Sequence, residues 1–123
     1  MTLVSDEKGL PYQRPPLSKD FLTAGDHPHP LPLKAHTFFT DKAVTLIESN
    51  PVTHIDRAAR TVQLAAGERL AYSHLVLATG ARNRTLPVPG TELDGVHYLR
   101  TAADAFGLHA ALAQARSAVV IGA

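Results

Sequence analysis

Leu75-Val76-Leu77-Ala78-Thr79-Gly80 is the stretch on which the fold turns. Its unbroken apolar run lacks the alternation of a strand with one wet face, which is the pattern of a strand buried on both faces in a parallel sheet. Ala78, Thr79 and Gly80 close it with small side chains that let a ligand approach the backbone at the carboxyl end of the strand. Beyond the loop from Arg82 to Gly95, Thr101 to Arg116 is rich in alanine and leucine, with Ala105, Leu108, Leu112 and Ala115 at helical spacing. Ala118-Val119-Val120-Ile121-Gly122-Ala123 then reads as a second apolar strand running into a glycine. The predicted class is α/β.

Working back from Leu75, the texture changes. Val44-Thr45-Leu46-Ile47, Val52-Thr53-His54-Ile55, Thr61-Val62-Gln63-Leu64 and Arg69-Leu70-Ala71-Tyr72 are short runs with strand character, and Ala66-Gly67-Glu68 is a turn signal between the last two. A small antiparallel unit with a hairpin follows. Ala35 to Lys42, carrying Phe38 and Phe39, reads as a short helix. Gly9 to Ser18 holds Pro11, Pro15 and Pro16, whose fixed φ and missing N–H groups exclude a regular helix or central strand. Ser18 is placed to cap a short helix beginning at Lys19. Thr2-Leu3-Val4-Ser5 reads as the tail of a strand cut short, with Asp6-Glu7 where it runs out.

The totals bound what this chain does. Its 123 residues fit one domain, and 45% hydrophobic against 19% charged residues place it among globular rather than disordered chains. Twelve basic and eleven acidic side chains give a formal charge of +1, so neither a nucleic-acid surface nor a polybasic membrane patch is expected. With no cysteine, disulfides, thiolate metal sites and redox-active cysteine pairs are excluded. No apolar stretch approaches the roughly 18 residues of a membrane span, and no cleavable leader is read at Met1 to Glu7, so a cytoplasmic location is the expectation. The seven histidines are dispersed and no metal site is expected; no Gly-x-Ser-x-Gly elbow supports hydrolase chemistry.

Four motifs carry chemistry, each with a plainer alternative. An acidic side chain at the carboxyl end of a strand, as Asp6 or Glu7 would be, is placed to accept hydrogen bonds from ribose hydroxyls; the same pair also reads as solvated surface carboxylates. Tyr12-Gln13-Arg14-Pro15-Pro16-Leu17-Ser18-Lys19 sets two cations on a proline-stiffened loop, where little entropy is lost in holding them against an anion. Arg-Pro-Pro-Leu reads equally as a polyproline segment for an aromatic groove. Arg82 and Arg84 lie just past Gly80, suited to phosphate or simply solvated. Val119-Val120-Ile121-Gly122-Ala123 resembles the opening of a Gly-x-Gly-x-x-Gly dinucleotide loop but holds only its first glycine.

Taken in order, Val4-Ser5-Asp6-Glu7, Leu10 through Lys19, Leu75 through Gly80 and Leu99-Arg100-Thr101 resemble the ferredoxin reductase branch of the FAD-dependent pyridine nucleotide oxidoreductases, of putidaredoxin and rhodocoxin reductase type. The resemblance spans essentially the whole chain, and the Arg-Pro-Pro-Leu-Ser-Lys string is its most specific part. It implies an incomplete doubly wound, Rossmann-like FAD-binding domain with a small antiparallel meander inserted. It implies FAD as cofactor, NAD(P)H as donor in the complete family member and a ferredoxin-type iron–sulfur protein as acceptor. By resemblance Asp6, with Glu7, holds the adenosine ribose; Arg14 and Lys19 contact FAD, Lys19 near the isoalloxazine; and Val52 meets the adenine through its backbone. Ala78, Thr79 and Gly80 line the groove, with Arg84 and Arg100 as further polar contacts.

The family's first strand and glycine loop are expected ahead of Met1, with most of the NAD-binding domain and a C-terminal domain after the end. Residues 1–100 are therefore expected as a partial FAD-binding domain, and residues 101–123 as a linker helix and the first strand of a truncated NAD-binding domain. Turnover by the chain alone is not expected, and exposed apolar edges are expected to make it prone to aggregate. The rival readings are a non-enzymatic binding module built on the proline-rich loop and a truncated gene product with no function of its own.

Overall fold

The computed structural model describes residues 1–25 and 27–122. Its elements run β1 (Thr2–Val4), a 3-10 turn (Pro15–Ser18), α1 (Asp20–Thr23), α2 (His36–Asp41), β2 (Thr45–Ile47), β3 (Val52–Asp56), β4 (Thr61–Leu64), β5 (Arg69–Ala71) and α3 (Ala102–Leu112). They are gathered in two compact units. One holds Met1–Pro11 and Pro32–Thr79, the other the described residues of Tyr12–Leu31 and Gly80–Ala123.

In the first unit β1 and β2 pair in parallel, Leu3 opposite Leu46. Parallel neighbours need a crossover rather than a tight turn, and α2 is the last part of that crossover. Its aromatic Phe39 is buried. The helix ends as the Val44 amide donates to the Phe39 carbonyl at 2.8 Å and Ala43 takes a left-handed φ of 49°, aiming the chain into β2.

The meander β3-β4-β5 is antiparallel throughout, with a register irregularity between Val52 and His54. Along β4 the period of two is plain: Val62 and Leu64 are buried, while Thr61 and Gln63 are half-buried. Leu64, 1% exposed, is the best-covered side chain of this unit. At Gly67 the hairpin needs φ of 92°, which glycine alone adopts without strain.

The second unit is built on Leu17, Phe21 and Ala105, with Tyr12, Leu22 and Leu99 packed around them. Phe21 meets Phe106 edge-on with ring centroids 5.0 Å apart, and His109 Nε2 bonds the Ala24 carbonyl at 3.0 Å, so α1 and α3 are joined by both apolar and polar contacts. Thr101 caps α3: its Oγ1 accepts the Asp104 amide at 3.2 Å and the Asp104 carboxylate accepts the Thr101 amide at 2.8 Å.

The meander, its hairpin, β1, α2 and the start of α3 stand where the sequence pattern puts them. Four expectations are corrected. Residues 75–78 form no strand, and Val76 is 84% exposed. Among the described residues 118–122 form none either, with Val119 88% exposed; Ala123 lies outside the described residues. A strand exists only beside a backbone that takes its hydrogen bonds, and no described segment lies beside these two. Ser18 does not cap α1; its hydroxyl donates to the Pro15 carbonyl at 3.4 Å, closing the 3-10 turn instead. Finally, α3 stops at Leu112 rather than Arg116, because past the fully buried Ala105 the expected stripe finds little to cover it: Leu108 is half-buried and Leu112 and Ala115 are exposed.

Candidate functional site

In the second unit the proline loop, Asn83 and the segment just ahead of α3 border a depression of about 270 Å³, lined by Arg14, Pro15, Leu17, Ser18, Asn83, Leu99 and Arg100. Pro15 opens the 3-10 turn, which carries Leu17 into the core and leaves the Arg14 side chain on the rim. The Arg14 guanidinium donates through Nη1 to the Arg100 carbonyl at 2.7 Å and lies over the Tyr12 ring, 5.4 Å from its centroid. Arg100 is oriented in turn: its Nε donates to the Ala81 carbonyl at 3.1 Å and its amide to the Asp104 carboxylate at 3.0 Å. Gly80, φ of 66°, sits beside it; a Cβ there would lie 3.6 Å from an Arg100 terminal nitrogen.

Asp104 holds this side together electrostatically. Partial burial raises its carboxyl pKa, but hydrogen bonds from Thr101 and the Arg100 amide, with the Arg14 charge, outweigh that and hold it below the ordinary aspartate value. Two guanidiniums beside Leu17 and Leu99 suit a ligand with both anionic and flat apolar parts. The depression is somewhat smaller than the roughly 300–1,000 Å³ of a complete small-molecule pocket, so it suits one portion of a long ligand.

In the first unit Asp6 and Glu7 follow β1 at the carboxyl ends of both parallel strands. Asp6 is exposed and Glu7 half-buried. Their loop is laced to the one after β2: the Asn50 amide donates to the Ser5 carbonyl, the Ser49 amide to the Glu7 carbonyl, both at 3.1 Å, and the Gly9 amide to the Glu48 carboxylate at 2.7 Å. That second loop leads straight into Val52, so the structure places Val52 just beyond the segment that holds the acidic pair.

Of the residues expected from sequence, then, Arg14, Arg100 and Gly80 come together in one unit, while in the other Asp6 and Glu7 lie on the loop after β1 and Val52 opens β3, just past the loop bonded to theirs. Lys19 is exposed at the start of α1 and outside the depression's lining; Arg84 is exposed on an irregular loop. Ala78 and Thr79 are exposed and irregular rather than at a strand end. The polyproline alternative is corrected: Pro15–Ser18 is wound into a 3-10 turn and Leu17 is buried, so the string is not displayed as an extended ligand. Sequence reading gave no role to Tyr12, Asn83, Leu99 or Asp104. Asp104 carried a usable signal, since Thr101-x-x-Asp104 ahead of an alanine-rich run is a capping-box pattern.

The pyridine nucleotide-disulphide oxidoreductase family profile matches residues 1–123. Rhodocoxin reductase of Rhodococcus erythropolis is 52% identical over 123 residues, all of this chain and 29% of that protein. A rubredoxin-NAD(+) reductase of Pseudomonas putida is 42% identical over 98% of this chain and 31% of its own length. Among solved structures, the ferredoxin reductase for the CYP199A2 system from Rhodopseudomonas palustris superposes with a TM-score of 0.84 at 47% identity, covering 93% of this chain and 28% of that one. The reductase in a covalent putidaredoxin reductase–putidaredoxin complex gives 0.79 at 35% identity, covering 90% and 27%. This chain thus spans about three tenths of the length of these relatives. The likeness bears out the expected fold class, an incomplete doubly wound α/β domain with a small antiparallel meander. With a profile matched from the first residue to the last, the chain belongs to the pyridine nucleotide-disulphide oxidoreductase family, on the side of its ferredoxin and rubredoxin reductases.

Proposed function

We propose that this chain is an FAD-binding segment of an NAD(P)H-dependent flavoprotein reductase that passes electrons to a ferredoxin-type iron–sulfur protein. One observation carries the reading: Arg14 and Arg100, 86 residues apart, are tied together at the rim of one depression. Two cationic residues from distant segments line one hollow together with Leu17 and Leu99, a donor set suited to a ligand with an anionic and an apolar part. Identities of 52% to rhodocoxin reductase and 42% to a rubredoxin-NAD(+) reductase support the same reading.

The residues present fit such a cofactor by the chemistry of their donors. In one unit Asp6, with Glu7, is proposed to accept the adenosine ribose hydroxyls, and the Val52 backbone to meet the adenine. In the other, Arg14 and Arg100 would supply charge for the anionic part, with Lys19 proposed as the contact to the isoalloxazine and Arg84 as a further polar contact. Ala78, Thr79 and Gly80 keep the approach free of bulky side chains. FAD, when bound, would supply hydride-accepting and one-electron redox chemistry, and these residues would hold it, orient it and set its electrostatic surroundings. Residues 1–100 are proposed as part of the FAD-binding domain and 101–123 as the helix and first strand of the NAD-binding domain. Among the described residues no helix is long and apolar enough to cross a membrane; the cytoplasm is the proposed compartment.

The test is visible absorbance after incubation with FAD and desalting. The chain is expected to retain the flavin bands near 450 nm, a rough value for an oxidised flavin, and Arg14→Ala/Lys19→Ala to lose most of them. A colourless wild-type chain would overturn FAD binding by this segment.

A further inference from the structure

Tyr12 stands where three interactions meet. Its hydroxyl accepts the Ala102 amide at 2.8 Å, across 90 residues of sequence. Ala102 is the first residue of α3, and its N–H is one of the four that a helix cannot satisfy internally. The same hydroxyl lies 3.4 Å from Arg14 Nη1, and the Tyr12 ring lies beneath the Arg14 guanidinium. Tyr12 is half-buried and packs on the Leu17, Phe21 and Ala105 core, so its ring is fixed by apolar contacts while its polar end reaches the two cations' anchoring points. The Arg14 Nη1 that contacts Tyr12 also donates to the Arg100 carbonyl, two residues before Ala102.

We infer that Tyr12 is a positioning residue for the Arg14–Arg100 pair: its ring fixes the plane of the Arg14 guanidinium and its hydroxyl fixes the backbone that presents Arg100. The inference rests on the proposed FAD-binding role for the consequence, but its geometry is a property of the chain without ligand. An arginine on an exposed rim otherwise samples many rotamers, and each immobilised rotamer-rich side chain has to be ordered at the moment of binding. A ring below and an acceptor beside Arg14 remove that requirement. Tyr12→Phe keeps the ring and its packing and removes only the hydroxyl; Tyr12→Leu removes both.

The experiment is a double-mutant cycle read by quenching of flavin fluorescence as FAD is titrated onto the whole chain. Tyr12→Phe is expected to weaken binding about ten-fold and Tyr12→Leu further. In an Arg14→Ala background Tyr12→Phe is expected to cost clearly less, because one of its two routes passes through Arg14. Unchanged affinity, or an equal loss in both backgrounds, would overturn the assignment, since a merely structural role would add to the Arg14 loss. If the wild-type chain takes up no FAD, the proposed cofactor role fails and the positioning claim is decided without ligand. There, Tyr12→Phe should speed hydrogen exchange at the Ala102 amide about ten-fold, and Tyr12→Leu, which also removes the ring, should move the Arg14 side-chain nitrogen resonances toward those of a freely rotating guanidinium. An unchanged Ala102 exchange rate in Tyr12→Phe, or Arg14 resonances that match between wild type and Tyr12→Leu, would overturn it in that case.

Discussion

Asp104 shows how one side chain serves two purposes. Its carboxylate accepts the Thr101 and Arg100 amides, closing the start of α3 and holding the backbone beside a proposed ligand contact. Because its pKa is lower in the folded chain than in the unfolded one, the folded state binds fewer protons there. Its contribution is therefore complete above the unfolded aspartate pKa and is lost as pH falls through the lower folded value. Asp104→Asn is expected to lower stability at neutral pH by about 0.5–1 kcal/mol, at the modest end for a cap because the carboxylate is only partly buried and solvent screens it. The gap to wild type should close in acid; thermal melts from pH 7 down to about pH 3 would check it. The Thr101–Asp104 spacing carried a capping signal that the sequence reading passed over. Tyr12 carried none: its partner lies 90 residues away, and no local pattern encodes a bond of that reach.

The elements divide by whether they carry their own partners. In β3-β4-β5 each strand pairs with its immediate successor, so alternation along Thr61–Leu64 and a glycine at the turn were enough to read it. Residues 75–78 and 118–121 are more strongly apolar than any strand of the meander, yet neither is a strand here. Hydrophobic pattern reports what a segment would bury; pairing depends on a neighbour that the pattern does not supply. Leu64 is the meander's deepest side chain, and Leu64→Ala is expected to cost about 2–4 kcal/mol. Amide exchange would check it, with protection falling across 52–71 while α3 keeps its own. Equal loss in both would mean that the two units melt as one. The proline loop taught the opposite lesson, since its two prolines are as compatible with a 3-10 turn as with an extended helix, and the burial of Leu17 decides between them.

For the molecule as a whole, the exposed apolar runs around Val76 and Val120 set its behaviour in solution. Flat apolar segments without backbone partners recruit each other between chains. The chain is expected to associate as concentration rises, and Val76→Lys/Val120→Lys to shift light scattering toward the monomer while leaving the meander intact. The family and the fold class were legible because several short motifs stand in the right order and spacing; the gathering of the chain into two units was not, because each unit is assembled from two separated segments. That interleaving bears on how the polypeptide is made. Leu17 and Phe21 leave the ribosome long before Ala105, the residue that completes their core. At about 5–20 residues per second, they wait roughly 4–17 seconds for it. During that interval the early apolar side chains have no native covering, so slower translation would lengthen the window in which a nascent chain is open to chaperones or to misassembly.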